Sequence, residues 1–345
     1  MRNIDGISTN RRYFAAANGY SGFRSYFPRI FDSAAYRRIF VLKGGPGTGK
    51  SSLMKKITRE FPDGVYRTEA IFCSSDPASL DGVIVESKKG RVAVLDGTAP
   101  HERDAVIPGA IDEIVNLGAA WDAEALENER QRILTLGKEK SFHYRRAYDY
   151  LSAFGKTAEN SEAESNPADV SNLRDEIGAH LFQKEGDGFC EECRLIRAFG
   201  CRGEVLLSTF GTLADTSYLL SGSTAHKERV LREVRRVLEE KKLPVIVAPS
   251  PFDPNRMDGI LCEGAGVSFL AVGETGTPWE IDAFFPTCRR EQRGESSLLS
   301  LAEASFAKAS ECHFALEKIY TAAMDFSVID GITQNIISRM SEILC

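Results

Sequence analysis

The sequence predicts an α/β protein of two similar three-layer units, each a mainly parallel sheet flanked by helices. Three observations carry that prediction. The length of 345 residues corresponds to about two domains at roughly 150 residues each. Apolar runs of strand length alternate with amphipathic helical stripes in both halves, the pattern of parallel strands joined by helical crossovers and covered on both faces. The halves also superimpose. Placing Lys50 over Lys227 aligns, without a gap, Gly45 with Gly222, Asp76-Pro77 with Asp253-Pro254, Asp81-Gly82 with Asp258-Gly259 and Glu86 with Glu263.

The elements follow in order. An apolar strand (38–42; 217–220) runs into a loop and then a helix whose stripe is Leu53, Met54, Ile57 and Phe61 in the first half and Val230, Leu231, Val234 and Leu238 in the second. A second strand (66–73; 244–249), an Asp-Pro turn, a short apolar segment (83–85; 260–262) and a further strand (91–95; 267–272) come next. Long helical tails (123–154; 297–326) pack outside each sheet or form a lid, with His143-Tyr144 and His313-Phe314 in comparable places.

Charge marks the boundaries. Residues 1–50 hold nine Lys or Arg against two Asp, whereas 157–192 hold ten acidic residues against Arg174 and Lys184. The stretch KTAENSEAESNPADVSN has the composition of a linker that cannot bury enough surface to order itself. The expected division is therefore 1–156, an acidic linker or insertion at 157–192, and 193–345. The net charge of −6 gives no excess of positive charge for nucleic acid or anionic membrane, and Tyr13, Phe14, Phe23, Tyr26 and Phe27 among the N-terminal arginines read as core. The start MRNIDGISTNRRYF lacks an apolar signal region and no window approaches eighteen apolar residues, which predicts a cytoplasmic protein with free thiols.

Gly44-Gly45-Pro46-Gly47-Thr48-Gly49-Lys50-Ser51, followed by Ser52, fits G-x-x-x-x-G-K-[ST] between a strand and a helix. Such a P-loop, or Walker A loop, wraps its N–H groups round phosphate at a helix N-terminus. Lys50 is positioned to bridge the β- and γ-phosphates and Ser51 to ligate Mg²⁺. Val92-Ala93-Val94-Leu95-Asp96 supplies the buried strand and the second Mg²⁺ anchor, Asp96. The loop after it offers His101 or Glu102 to orient a nucleophile, His101 being the candidate for a catalytic role, and Asp76 is a further candidate or a turn former. No N-K-x-D guanine-reading motif occurs, so ATP is expected rather than GTP.

The second loop reads Ser221-Gly222-Ser223-Thr224-Ala225-His226-Lys227-Glu228. His226 and Glu228 replace Gly49 and Ser51, and Asp96 falls on Gly273, so a nucleotide-free second half is expected. With FVLKGGPGTGKSSLMKKI, CSSDPASLDGVIV and LDGTAPHERDAVIPGAIDEIVNLGAAWD, nearly the whole chain resembles a bacterial family, common in spore-forming Gram-positive bacteria, of two P-loop ATPase-like halves in tandem. The resemblance implies ATP binding and no particular substrate. SGSTAHKER departs from a phosphate loop that relatives often keep, and the acidic segment with Cys190 and Cys193 looks like an insertion.

Cys190, Cys193, Cys201 and His180 have a spacing that admits a zinc site, a redox pair or plain thiols. Arg145-Arg146 and Arg289-Arg290 are either arginine fingers or solvated side chains. The expected function is a Mg²⁺-dependent ATPase or ATP-driven switch. The rivals are a small-molecule or nucleotide kinase and a non-catalytic ATP-binding scaffold.

Overall fold

The structure is a computed structural model that describes residues 7–159, 171–181, 184–285 and 296–345. The first half contains β1 (Arg11–Phe14), the hairpin β2 (Ala16–Gly19) and β3 (Gly22–Ser25), α1 (Phe27–Ile30), β4 (Arg38–Lys43) and α2 (Lys50–Glu60). β5 (Arg67–Phe72), β6 (Leu80–Ser87), β7 (Gly90–Asp96), β8 (Asp112–Asn116), α3 (Ala123–Asn128) and α4 (Arg130–Glu159) complete it. After α5 (Ser171–His180), the second half repeats the series. It runs through β9 (Glu191–Cys193), the hairpin β10 (Arg197–Gly200) and β11 (Gly203–Leu206), α6 (Thr209–Leu213), β12 (Thr216–Ser221), α7 (Thr224–Glu240) and β13 (Val245–Pro249). β14 (Met257–Cys262), β15 (Val267–Leu270), β16 (Thr277–Glu280), α8 (Ser296–Ala322) and α9 (Phe326–Leu344) follow.

Each half builds a six-stranded sheet, in the orders β1-β5-β6-β7-β4-β8 and β9-β13-β14-β15-β12-β16. The two orders correspond strand for strand, and so do the directions: β6 and β14 alone run against their neighbours. The sheets are mainly parallel, as the sequence predicts; the reversal arises because 83–85 and 260–262, read as short apolar segments, belong to full strands. The links from β5 to β6 and from β6 to β7 are too short for a crossover, which takes a dozen or more residues, so these strands must pair antiparallel. A register shift falls between Ile71 and Phe72 in one sheet and between Ala248 and Pro249 in the other, at the positions that the sequence alignment equates.

The layer arrangement corrects the expectation of two independent three-layer units. The outer face of the first sheet (Phe40, Leu42, Val83, Val92) packs under Leu53, Met54 and Ile57 of α2, and that of the second (Leu220, Val247, Ile260, Phe269) under Val230, Leu231 and Val234 of α7. The inner faces meet each other: Ile39, Val41, Ile71 and Leu95 share a core with Ile246, Ala248, Leu261 and Leu270, with α1 and α6 filling between. Helices also change sides. α9, at the far end of the chain, buries Ile329, Ile336 and Met340 against the first half, and α5, within the expected linker, buries Leu173 and Ile177 against α7. The Pro-containing part of that linker (160–170) and Arg289-Arg290 lie outside the described residues.

The join has approximate twofold symmetry. Phe14 and Leu195 exchange backbone hydrogen bonds of 2.8 and 3.1 Å. The Tyr20 N–H donates to the Phe252 carbonyl and the Cys201 N–H to the Ser75 carbonyl, at 3.1 and 3.2 Å. Gly19 and Gly200 are needed here, since a Cβ on either would sit 2.5–2.6 Å from a carbonyl oxygen of the other half. Two of the N-terminal arginines serve this join: Arg11 grips Glu263 at 2.7 and 2.9 Å, and Arg29 reaches Glu191 at 2.5 Å. At its centre Arg194 donates to Glu69 at 2.7 Å, the two side chains being 2% and 1% exposed. Burial opposes ionisation of Glu69, but Arg194 and Arg67 outweigh it and hold the carboxyl at about 2. No helix among the described residues is long and apolar enough to cross a membrane.

Removing one partner of a buried pair leaves an uncompensated charge, so Glu69→Ala is expected to lower stability by about 3–5 kcal/mol in urea titrations. Because the folded-state value is depressed, the pair's contribution is complete above about pH 4.5 and is lost as pH falls towards about 2. A Glu69→Ala variant as stable as the parent at neutral pH would rule out this role.

Candidate functional site: the glycine-rich loop

β4 ends at Lys43 and α2 begins at Lys50, leaving Gly44 to Gly49 as a loop at the edge of the first sheet. Gly47 and Gly49 take φ of +71° and +82°, a left-handed conformation that suits glycine. The Thr48 hydroxyl, buried, donates to the Gly45 carbonyl at 2.9 Å and fixes the turn. The Lys50 ammonium folds over the loop, donating to the Gly44 and Gly45 carbonyls at 2.7 and 2.8 Å, and stands 3.6 Å from Asp96 at the end of β7. Pro46 is half-buried within the loop and Ser52 is exposed on α2. Asp96 accepts from the Thr98 N–H and hydroxyl at 2.8 and 2.5 Å. Burial pushes its carboxyl above the ordinary value, opposed by Lys50.

Helices from the second half cover this loop. The α8 backbone at Glu317 lies so close that a Cβ on Gly47 would fall 2.6 Å from the Glu317 carbonyl and from the Thr321 hydroxyl. The Thr321 hydroxyl donates to the Gly47 carbonyl at 3.3 Å, Tyr320 and Trp121 lie against Gly45, and Phe326 and Ile329 against Gly49. The Glu317 carboxylate faces His313 at 3.5 Å and lies in the field of Lys50. His313 first, and then Lys50, hold it below the usual carboxylate range.

The second half lacks the loop. Strand register equates Gly44 with Gly222, not Gly45 as the ungapped alignment had it, and only Gly222 and Ser223 separate β12 from α7. Thr224-Ala225-His226, counterparts of Gly47-Thr48-Gly49, form the first turn of α7. Ser223 caps that turn by accepting from the His226 N–H at 3.2 Å. The Asp282 carboxylate accepts from the Ser223 N–H at 3.2 Å and meets His226 Nδ1 at 2.7 Å, placing a negative charge at the helix N-terminus. Register also equates Asp96 with Ala271 rather than Gly273, because the β14–β15 turn is shorter, and Lys227 donates to the Ala271 carbonyl at 3.1 Å.

Other expected residues fall out as follows. Ser51 accepts from the Leu80 N–H at 3.0 Å, and Glu228 at the same position of the repeat accepts from the Met257 N–H at 2.8 Å, so both side chains tie the helix to the first residue of the neighbouring strand. His101 is not an exposed loop residue. It is buried, stacked on Phe27 at 4.5 Å, with Nε2 3.0 Å from the Asp81 carboxylate. Burial works against its protonation, yet Asp81 holds the imidazole above its ordinary value. Glu102 is exposed. Asp76 accepts from the Ala78 N–H and Asp253 from the Asn255 N–H, the same turn in both halves. Arg145 is exposed, and Arg146 bonds the Tyr150 hydroxyl at 3.0 Å on the surface of α4. His180 packs between Tyr218 and Trp279, and it forms no metal-binding cluster with the cysteines at 190, 193 and 201 among the described residues. Glu317 and Asp282 carried no sequence signal: neither lies in a motif, and only the packing of α8 and the end of β16 brings them to a helix N-terminus.

The chain matches no protein-family model, no curated protein and no solved structure. At the loop the structure brings together a cation, Lys50, the N-terminus of α2 and a carboxylate, Asp96.

Gly47→Ala is expected to pull α8 off the loop, at a cost of roughly 1–2 kcal/mol for the left-handed backbone alone. Faster amide exchange across 313–329 is the readout, and unchanged exchange there would contradict the close approach of α8.

Proposed function

We propose that the first half binds ATP with Mg²⁺ through the Gly44–Ser51 P-loop and acts as an ATPase or ATP-driven switch, while the second half binds no nucleotide and supplies the lid. The observation that carries this reading is the loop itself: Gly47 and Gly49 in left-handed conformation at the start of α2, with the Lys50 ammonium folded over the loop and 3.6 Å from the Asp96 carboxylate. A triphosphate reaching the loop meets α8, packed on Gly47, and the Glu317 carboxylate in the field of the same Lys50, so binding couples to movement of α8 and α9. That coupling favours a switch over a rigid scaffold. Asp96 suits the metal anchor, since it is half-buried, close to Lys50 and oriented by Thr98. Ser51 keeps a lone pair and its own proton beyond the bond from Leu80, which leaves it able to join a metal's ligands. Lys50 neutralises charge developing on the transferred phosphoryl group.

Calorimetry with Mg²⁺-ATP is expected to give one site per chain, abolished by Lys50→Ala and untouched by Lys227→Ala. Two sites of similar affinity would refute the division of labour. Glu317→Gln removes the competing charge and is expected to tighten binding about tenfold, equivalent to about 1.4 kcal/mol; unchanged affinity would remove the lid from the proposal. Phosphate release without an acceptor supports the ATPase, and release only with an acceptor would move the assignment to a kinase.

A further inference from the structure

In the first half, the end of β5, the start of β6 and the loop after β7 bring Cys73, Asp81 and His101 to one point. One ligand atom from each lies within 4.8 Å of the others. Asp81 and His101 are each 6% exposed, and His101 Nδ1, buried, has no hydrogen-bond partner. A buried imidazole nitrogen without a partner is costly unless something else satisfies it.

The repeat shows what this position of the fold demands. Asp258 and Ser250 are the counterparts of Asp81 and Cys73 at the spacing that equates the two register shifts. There Arg197 grips Asp258 with two bonds of 2.8 and 2.6 Å and reaches the Ser250 hydroxyl at 3.2 Å. A permanent cation is seated between the carboxylate and the side chain at position 250. Arg197 opens its hairpin at β10, and the residue that opens the corresponding hairpin in the first half is Ala16. The first half therefore has the carboxylate and a softer neighbour, a thiol in place of a hydroxyl, but no guanidinium.

We propose that a divalent zinc-type ion occupies in the first half the place that the Arg197 guanidinium occupies in the second, ligated by Cys73 Sγ, the Asp81 carboxylate and an imidazole nitrogen of His101. Thiolate, imidazole and carboxylate together select zinc-like metals over Mg²⁺ or Ca²⁺. Two anionic ligands and one neutral one balance a divalent charge. Three protein ligands leave one tetrahedral position for water or an incoming group, the form taken by catalytic rather than structural zinc. Without metal, burial and Asp81 push the Cys73 thiol well above its ordinary value, so it is protonated and a poor nucleophile at neutral pH; binding releases that proton. The site does not rest on the nucleotide reading, since it uses neither Lys50 nor the Gly44–Gly49 loop.

The test is metal-stripped full-length protein titrated with Zn²⁺ and, separately, Co²⁺. The expected result is one equivalent bound and, with Co²⁺, a thiolate-to-metal charge-transfer band in the near ultraviolet. Cys73→Ser is expected to abolish the band and His101→Gln to weaken binding at least tenfold, while a Cys190→Ser, Cys193→Ser double variant retains both properties. Should the Cys73 variant fail to fold, alkylation mapped by mass spectrometry decides on the parent protein: Zn²⁺ must protect Cys73. Absence of the band together with unprotected Cys73, or a band that survives Cys73→Ser and disappears in the double variant, would overturn the proposal. ATP titration of the stripped protein is expected to be unchanged, so failure here and failure of nucleotide binding remain separate results.

Discussion

Each sheet has one face that no long helix covers, and burying those two faces against each other is the constraint from which the rest of the structure follows. A sheet with strands as apolar as Ile39-Phe40-Val41-Leu42 or Val92-Ala93-Val94-Leu95 must be covered on both sides. Here each half covers the other, so neither is a self-sufficient unit. The buried Arg194–Glu69 pair, the mutual bonds of Phe14 and Leu195 and the glycines at 19 and 200 all serve that contact. Arg29 from the basic start of the chain and Arg91 of β7 meet Glu191 and Glu192, the last acidic residues of 157–192, across the same contact.

Within that shared frame the halves keep the same connections with different residues. Ser51 and Glu228 receive the same strand N–H, and Lys50 and Lys227 both turn towards the end of the same strand, to Asp96 in one case and to a backbone carbonyl in the other. Both α2 and α7 have a carboxylate near the N-terminus, Glu317 from a neighbouring helix and Asp282 from a neighbouring strand end. Each carboxylate faces an imidazole, but Asp282 is held more closely, 2.7 Å from His226 and bonded by the Ser223 N–H, whereas Glu317 stands 3.5 Å from His313 of its own helix.

Much of this was legible in the sequence. The repeat, the strand–loop–helix order, the apolar stripes and the contrast between the two loops follow from local pattern, because side-chain period and glycine content are local properties. The reversal of β6 was hidden by the mixed character of 80–87, where Asp81 and Gly82 interrupt the apolar run. The misplacement of Asp96 over Gly273 came from a turn that is shorter in the second half, which an ungapped alignment cannot register. The sequence placed His101 in the loop after the Asp96 strand but could not show its burial, which depends on Phe23 and Phe27, more than seventy residues away. Asp81 was visible only as part of a repeated Asp-Gly pair; its chemistry emerges only once Cys73 and His101 stand beside it. No local pattern specifies that α9 crosses to the first half or that Glu317 reaches Gly47.

The crossing of α8 and α9 also orders events in time. These helices are translated after every other element described, yet they cover a loop made near the start of the chain. While the ribosome is still working through the second half, Gly44 to Ser51 is already synthesised and has no cover, and any anion in the cell can reach it. The nascent protein therefore passes through a stage in which ligand access is unrestricted, and restriction arrives only with α8 and α9. A ligand captured at that stage would have to leave, or be enclosed, as those helices pack.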